Sequence, residues 1–192
     1  MYSIYYYRIQ TFPNLLEISI NAVNFIKLCR ILFIDIFNYK MPKLKEGDSL
    51  PDFSLKDQND QEVNSRNWIG EAVVIYFYPD DNTPICTAQA CSFRNNYNEF
   101  QDLGVRVIGI SHNNPKSHSK FASKHELPFQ LLSDKNDEIR KLFGVPKGFL
   151  GLTAGRVTYV FDKEGKLNYI HNSFINAKEH VRAALDILKK KV

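Results

Sequence analysis

Residues 76–91 read YFYPDDNTPICTAQAC, and the order of events along that stretch decides the fold. It is entered through AVVIYFY (72–78), a continuous apolar run of β-branched and aromatic residues. Such a run predicts a central strand covered on both faces. Pro79 ends it, four polar residues follow, and Thr83–Pro84 reads as an N-cap followed by proline at the first helical position. Ala90, Phe93, Tyr97 and Phe100 then recur at spacings of three, four and three, and Gly104 stands where a C-cap glycine belongs. Strand, short loop and helix make one α/β unit.

The two cysteines of this stretch, Cys86 and Cys91, fit neither a zinc knuckle nor a Cys-x-x-Cys redox pair. Cys86 falls in the first helical turn, where backbone N–H groups lack intrahelical partners and the helix dipole is positive. That environment favours a thiolate. Thr83 brings a hydroxyl close to the sulfur, and Pro79 stiffens the loop and shields it from water. Against this stands the plainer reading of Cys86 as a small buried residue, the usual fate of a free cysteine. Local sequence leaves both open.

The alternation continues outward. Residues 53–55 and Glu62–Val63 predict short strands around the turn-rich KDQND. VRVIGIS (105–111) predicts another buried strand, followed by a polar helix over 116–124, a short strand at 129–133 and a short helix over 137–143 closed by Gly144. RVTYVFD and KLNYIH flank Lys163–Glu164–Gly165, a hairpin signal. A last helix opens at Asn176 and Glu179, an Asn version of the capping box, and buries Ala177, Val181, Ala184, Leu185 and Leu188. The pattern predicts an α/β fold of the thioredoxin type, with helices flanking a central mixed sheet.

Bulk properties narrow the function classes. In 192 residues there are 25 basic and 21 acidic side chains, a formal +4. Residues 1–40 hold four of the basic and two of the acidic ones, leaving 21 against 19, or +2, for the rest. No Lys/Arg stripe interleaves with aromatics, so a nucleic-acid partner is not expected. Lys189 to Lys191 reads as a solvated helix end. Three cysteines are too few for a disulfide scaffold, which makes a reducing, cytoplasmic setting the default.

Residues 1–40 are compositionally foreign, rich in Ile, Asn, Tyr and Phe and without glycine. Their longest apolar run, Ile31 to Ile34, is far too short to span a membrane. The folded domain is expected at 41–192, with residues 1–40 either a targeting extension or an over-extended start, and Cys29 inert within it. No exposed apolar edge or added association segment is evident, so a monomer is expected.

YFYPDDNTPICTAQACSFR resembles the active-site segment of the peroxiredoxins, whose Pro-x-x-x-Thr-x-x-Cys frame is met by Pro79, Thr83 and Cys86. A second cysteine five residues on resembles the peroxiredoxin Q, or bacterioferritin comigratory protein, subgroup. The likeness runs from about Lys43 to Lys190 and includes GDSLPDFSL, LFGV and GRVTYVFDKEGK. It implies a thiol peroxidase that reduces hydrogen peroxide and organic hydroperoxides without metal, haem or flavin. It further implies Cys86 as the peroxidatic cysteine, Cys91 as the resolving one, an intramolecular disulfide between them, and recycling by thioredoxin or a similar dithiol. Arg156 matches the family's active-site arginine. Ile85, Gln89, Asn95 and His112 depart from the pattern, standing where glycine, glutamate, aspartate and a residue other than histidine are usual.

Other constellations compete weakly. His112, His118 and His125 are spaced six and seven apart, which matches no zinc-ligand pattern, and they read as solvated or capping. Arg94 could support the active site or serve packing. A non-enzymatic alternative of the same fold is a redox-switched holdase or interaction module. Helix geometry adds one expectation. Five residues of α-helix separate Cα atoms by roughly 8.7 Å, beyond the reach of about 7 Å that a disulfide tolerates. The turns from Ile85 to Cys91 are therefore expected to unwind before the bond can close.

Overall fold

The computed structural model describes residues 44–147, 154–173 and 175–191; the expectations for residues 1–40 and for Cys29 lie outside them. In chain order the elements are β1 (Ser54–Asp57), β2 (Glu62–Asn64), β3 (Ala72–Phe77), α1 (Pro84–Asn95), α2 (Tyr97–Asp102), β4 (Val105–Ser111), α3 (Pro115–Lys124), β5 (Gln130–Ser133), α4 (Glu138–Leu142), β6 (Val157–Phe161), β7 (Leu167–Asn172) and α5 (Ala177–Lys191). The strands form one sheet in the order β2-β1-β5-β4-β3-β6-β7. Its centre, β5-β4-β3, is parallel, and antiparallel strands continue it on either side. This is the mixed sheet the sequence predicts.

Strand β3 is buried along its whole length because both its faces are covered. Val74 and Tyr76 enter a core with α1, α3 and α5 residues such as Phe93, Phe121 and Leu185. Val73, Ile75 and Phe77 enter a second core with Phe53, Trp68, Phe143 and Phe161. The period of two carries into β6, where Thr158 and Val160 alternate with Val157, Tyr159 and Phe161.

One predicted helix is two. The apolar spacing from Ala90 to Phe100 is continuous, yet α1 ends at Asn95 and α2 begins at Tyr97. Asn96 between them donates its side-chain amide to the Ser92 carbonyl at 2.8 Å, and its φ of −109° leaves the helical region. An asparagine side chain that bonds the preceding turn competes with the backbone ladder, while Phe93 and Phe100 stay buried on one side. The hairpin forms as expected. Gly165 takes a φ of +72° and donates to the Asp162 carbonyl at 3.0 Å. In α5, all five residues assigned to its apolar face are buried. Asn176 precedes that helix, its own N–H donated to Ser173 Oγ and its carbonyl accepting from Glu179.

Candidate active site

Tyr78 follows the C-terminal end of the interior strand β3, the loop from Pro79 to Thr83 turns the chain, and α1 begins. Pro84 occupies its first position and Cys86 its first turn. The Cys86 sulfur is free, and the residue is only 2% exposed. Arg156 comes from the residue before β6 and is equally buried. It lies two positions from Thr158, so strand alternation directs it toward the same face as α1. Its Nη2 donates to Cys86 Sγ at 3.1 Å. A buried guanidinium at this distance is placed to stabilise negative charge that develops at the sulfur or on an oxygen bound beside it.

Three groups keep that cation in place. Gln89, one turn along α1 from Cys86 and fully buried, accepts from Arg156 Nη1 through Oε1. Arg140 of α4 is buried and donates to the Gly155 carbonyl and to the Tyr78 carbonyl, both at 2.8 Å. It thereby ties the residue before Arg156 to the residue before Pro79. Gly155 admits no side chain, since a Cβ there would lie 1.9 Å from the Pro146 carbonyl oxygen.

The loop is anchored separately. Asp81 is buried and accepts from Tyr78 Oη at 2.8 Å and Ser117 Oγ at 2.7 Å, and faces His118 Nδ1 at 3.1 Å. Burial alone would raise its carboxyl, but the bonds from His118, Ser117 and Tyr78 outweigh that and hold it below the ordinary aspartate value. Asn113 fastens the same loop, accepting from the Asp81 N–H at 3.0 Å and donating to Asp80 Oδ1 at 2.6 Å. Asn82 absorbs the turn with a left-handed φ of +61°.

The sequence-derived residues therefore converge, with adjustments. Cys86 and Arg156 meet directly, and Pro79 sits half-buried in the loop. Thr83 is the N-cap by position, with extended backbone, but its side chain caps nothing; its hydroxyl donates to the Asp80 carbonyl at 3.4 Å and makes no bond to the sulfur. Cys91 is free, half-buried and on the same unbroken helix as Cys86. Arg94 packs rather than joining the site, donating to the His125 carbonyl at 2.7 Å.

The histidines separate. His112 is exposed and His125 is the C-cap residue of α3, as expected. His118 is neither solvated nor capping: it is fully buried between Asp81 and the Leu132 carbonyl, with both ring nitrogens facing acceptors. Among the described residues, no group of three or more His, Cys, Asp or Glu side chains could hold a metal ion. No helix among them is long and apolar enough to cross a membrane. Arg140 and Asp81 were not singled out by the sequence because nothing local marks a charged residue as buried. Gln89 was noticed only as a departure.

Comparison with known proteins gives a family and a fold. Residues 47–170 match the model of the AhpC/TSA family. The chain is 46% identical over 147 residues to peroxiredoxin Q, chloroplastic, of Arabidopsis thaliana, covering 77% of this chain and 68% of that one. It superposes on the crystal structure of the peroxidoxin BcpB from Mycobacterium tuberculosis with a TM-score of 0.71 and 33% identity, covering 77% of this chain and 97% of that chain. A Xanthomonas campestris bacterioferritin comigratory protein, whose trapped complexes concern alkyl peroxide reduction, aligns with a TM-score of 0.67 and 28% identity over 75% of this chain and 99% of that one.

Proposed function

The chain belongs to the AhpC/TSA family, as a peroxiredoxin of the Q type with the thioredoxin-like fold, and from that premise we propose how its two thiols divide the work. It is a thiol-dependent peroxidase. Cys86 is the peroxidatic residue, and the observation that carries this is the 3.1 Å bond from buried Arg156 to its sulfur. A thiolate held there attacks one oxygen of a hydroperoxide. The S–O bond forms, the O–O bond breaks, and the departing oxygen leaves as water or an alcohol once it takes a proton. Charge grows on that oxygen in the transition state, so fixed donors beside it lower the barrier. Arg156 and the uncapped first-turn N–H groups are such donors, while Thr83 and Pro79 shape the loop they face.

Cys91 is the resolving residue. It condenses with the Cys86 sulfenic acid to an intramolecular disulfide, which thioredoxin or a similar dithiol reopens. Because one helix carries both thiols, the cycle needs no second copy, and the working unit we assign is the monomer. The turns from Ile85 to Cys91 unwind to let the sulfurs meet, since the intact helix keeps their Cα atoms roughly 8.7 Å apart. Residues 41–192 form the catalytic domain. The chloroplastic name of the Arabidopsis relative favours an organelle over the cytoplasmic setting expected from cysteine count, with residues 1–40 as the address.

The test is single-turnover peroxide consumption by reduced protein. Cys86→Ser should consume none. Cys91→Ser should consume about one equivalent, accumulate a trappable sulfenic acid and stall with thioredoxin as sole reductant. Activity in Cys86→Ser with a dead Cys91→Ser would reverse the assignment. Oxidation of the native protein without turnover under thioredoxin, its reductase and NADPH would favour a redox switch instead.

A further inference from the structure

The resolving cysteine has a histidine beside it that the peroxidase chemistry at Cys86 does not use. His125 closes α3, and its Nδ1 lies 4.0 Å from Cys91 Sγ, within reach of a long sulfur–nitrogen hydrogen bond. The contact is built rather than incidental. Arg94, three residues beyond Cys91 on α1, donates to the His125 carbonyl at 2.7 Å, and its other nitrogens are fixed on Asn95 Oδ1 at 3.1 and 3.0 Å. On its other side the imidazole meets the Phe121 ring edge-on at 5.0 Å. Burial, the Lys124 ammonium of its own helix and the Arg94 guanidinium of α1 all push the imidazole below the ordinary histidine value. At neutral pH it is therefore an acceptor.

We propose that His125 is the general base of the resolving step, its Nδ1 taking the Cys91 thiol proton as that sulfur attacks the Cys86 sulfenic acid. The Cys91 S–H bond breaks and its electron pair forms the S–S bond. The Cys86 S–O bond breaks, and hydroxide leaves as water after taking a proton back from the imidazolium. Cys91 sulfur is oxidised and Cys86 sulfur reduced, so no further oxidant is needed.

The base must still be at Cys91 when the sulfurs meet, and the anchoring of α1 provides for that. Its start has no side-chain cap and exposes Pro84, Ile85 and Ala88, and among the described residues the side-chain hydrogen bonds that hold it come from one residue, Arg156, to Cys86 and Gln89. Beyond Cys91 it is firmly held, by fully buried Phe93 stacked on Tyr76 at 4.5 Å and by Arg94 on His125. Unwinding from the N-terminal end carries Cys86 toward Cys91 while His125 stays in place.

The inference rests on the two-thiol reading above, and the experiment separates the two. Reduced full-length protein is mixed with one equivalent of hydrogen peroxide, quenched by alkylation at intervals from pH 5.5 to 9.5, and sulfenic acid and Cys86–Cys91 disulfide are counted by mass. An ordinary cysteine is only a few per cent thiolate at pH 7, so full deprotonation by a base gains at most roughly thirtyfold. In His125→Gln, disulfide formation should be about ten- to thirtyfold slower at pH 7, with the gap closing to about twofold by pH 9.5, where thiols ionise unaided. Added imidazole should restore the rate in His125→Ala. The rate of sulfenic acid formation reports that each variant is folded. Slowing by one factor at every pH, or none, overturns the proposal. Should neither variant fold, the native profile decides: no fall in the resolving rate on acidification through the imidazole range also overturns it. Absence of any Cys86–Cys91 disulfide in the native protein would instead sink the two-thiol reading itself.

Discussion

The two sides of strand β3 are built from different chemistry. Toward α1 and α5 lie Tyr76, Tyr78, Cys86, Gln89, Arg156, Thr158 and His180, all buried and all bearing a heteroatom. On the other side Ile75 packs with Phe53, Trp68, Phe77, Phe143, Tyr159 and Phe161, whose rings meet edge to face or, for Phe77 and Phe143, tilted, with centroids 5.0–6.2 Å apart. Polar groups at this second core are few and held: Tyr159 Oη donates to the Phe143 carbonyl at 3.0 Å, and the Arg140 guanidinium lies over the Phe77 ring, 5.5 Å from its centroid. One strand thus separates a side that stores reactive groups from a side that stores cohesion. Buried polar groups are expensive unless each is paired, so the reactive side depends on the apolar side for the free energy that keeps it folded.

If that division holds, the largest effect on stability comes from the apolar side without touching the chemistry. Phe143 is fully buried against Phe53, Phe77, Tyr159 and Phe161. Phe143→Ala should cost about 3–5 kcal/mol by urea denaturation, as buried Phe to Ala changes do. Sulfenic acid formation in the fraction that stays folded should be unchanged. A large fall in that rate would mean the two sides are coupled through β3.

The converse variant is Arg156→Lys. A lysine keeps one charge but cannot bridge Cys86 and Gln89 as the guanidinium fork does. Peroxide reduction should slow by roughly 10²–10³, the usual loss on removing one transition-state donor, read by stopped-flow at saturating reductant. A change below about threefold would remove Arg156 from the catalytic step.

The reactive side should also be the acid-sensitive one. His180 is fully buried, its Nε2–H donating to the Ser173 carbonyl and its Nδ1 facing Thr158 Oγ1, both at 2.8 Å. Those bonds suit a neutral ring, and burial first, then the nearby His171 and Arg156, bring its pKa down to about 4. The folded value lies below the unfolded one, so between them the unfolded chain binds the extra proton. Stability is therefore whole above about pH 6.5 and is lost as pH falls toward 4, by roughly 3 kcal/mol. His180→Gln should flatten that slope. An unchanged slope in the variant would point to His171, which burial also lowers; Asp81 titrates below this window.

How much of this was legible in the sequence follows the same division. Continuous apolar runs placed β3 and β4, the turn between RVTYVFD and KLNYIH placed β6, and helical spacing placed the α5 face, each nearly to the residue, because burial on a regular element leaves a pattern. The Pro79–Cys86 frame and the second thiol drew attention to this loop and helix, and the peroxiredoxin likeness added Arg156, seventy residues away, which the structure brings to Cys86. What stayed hidden was long-range and polar. Arg140 looks in sequence like any helical arginine, yet it joins Tyr78 to Gly155. His118 looked solvated or capping and is buried on Asp81. The break at Asn96 escaped because hydrophobic spacing cannot see a side chain bonding its own preceding turn.

The smallest expected effect tests where the line between the two sides runs. Tyr76 is on the reactive side, yet its hydroxyl is buried with no hydrogen-bond partner among the described residues. Its ring is stacked on Phe93 at 4.5 Å and on Tyr78 at 5.5 Å. Gly109 across the sheet makes room for its tip, since a Cβ there would lie 2.7 Å from both Cζ and Oη. Burial first, then the neighbouring Asp81 and Cys86 charges, push the phenol well above its ordinary value, so it stays protonated and cannot serve as a base for the thiol. An unpaired buried hydroxyl carries a desolvation penalty of roughly 1–3 kcal/mol, and removing the oxygen opens only a small void. Tyr76→Phe should therefore raise stability, by about 1 kcal/mol once that void is counted. Peroxide turnover should stay within about twofold of the native rate, because the stacking that holds Phe93 is retained. A tenfold loss of turnover, with stability unchanged or raised, would show that the hydroxyl finds its partner during catalysis and belongs to the chemistry after all.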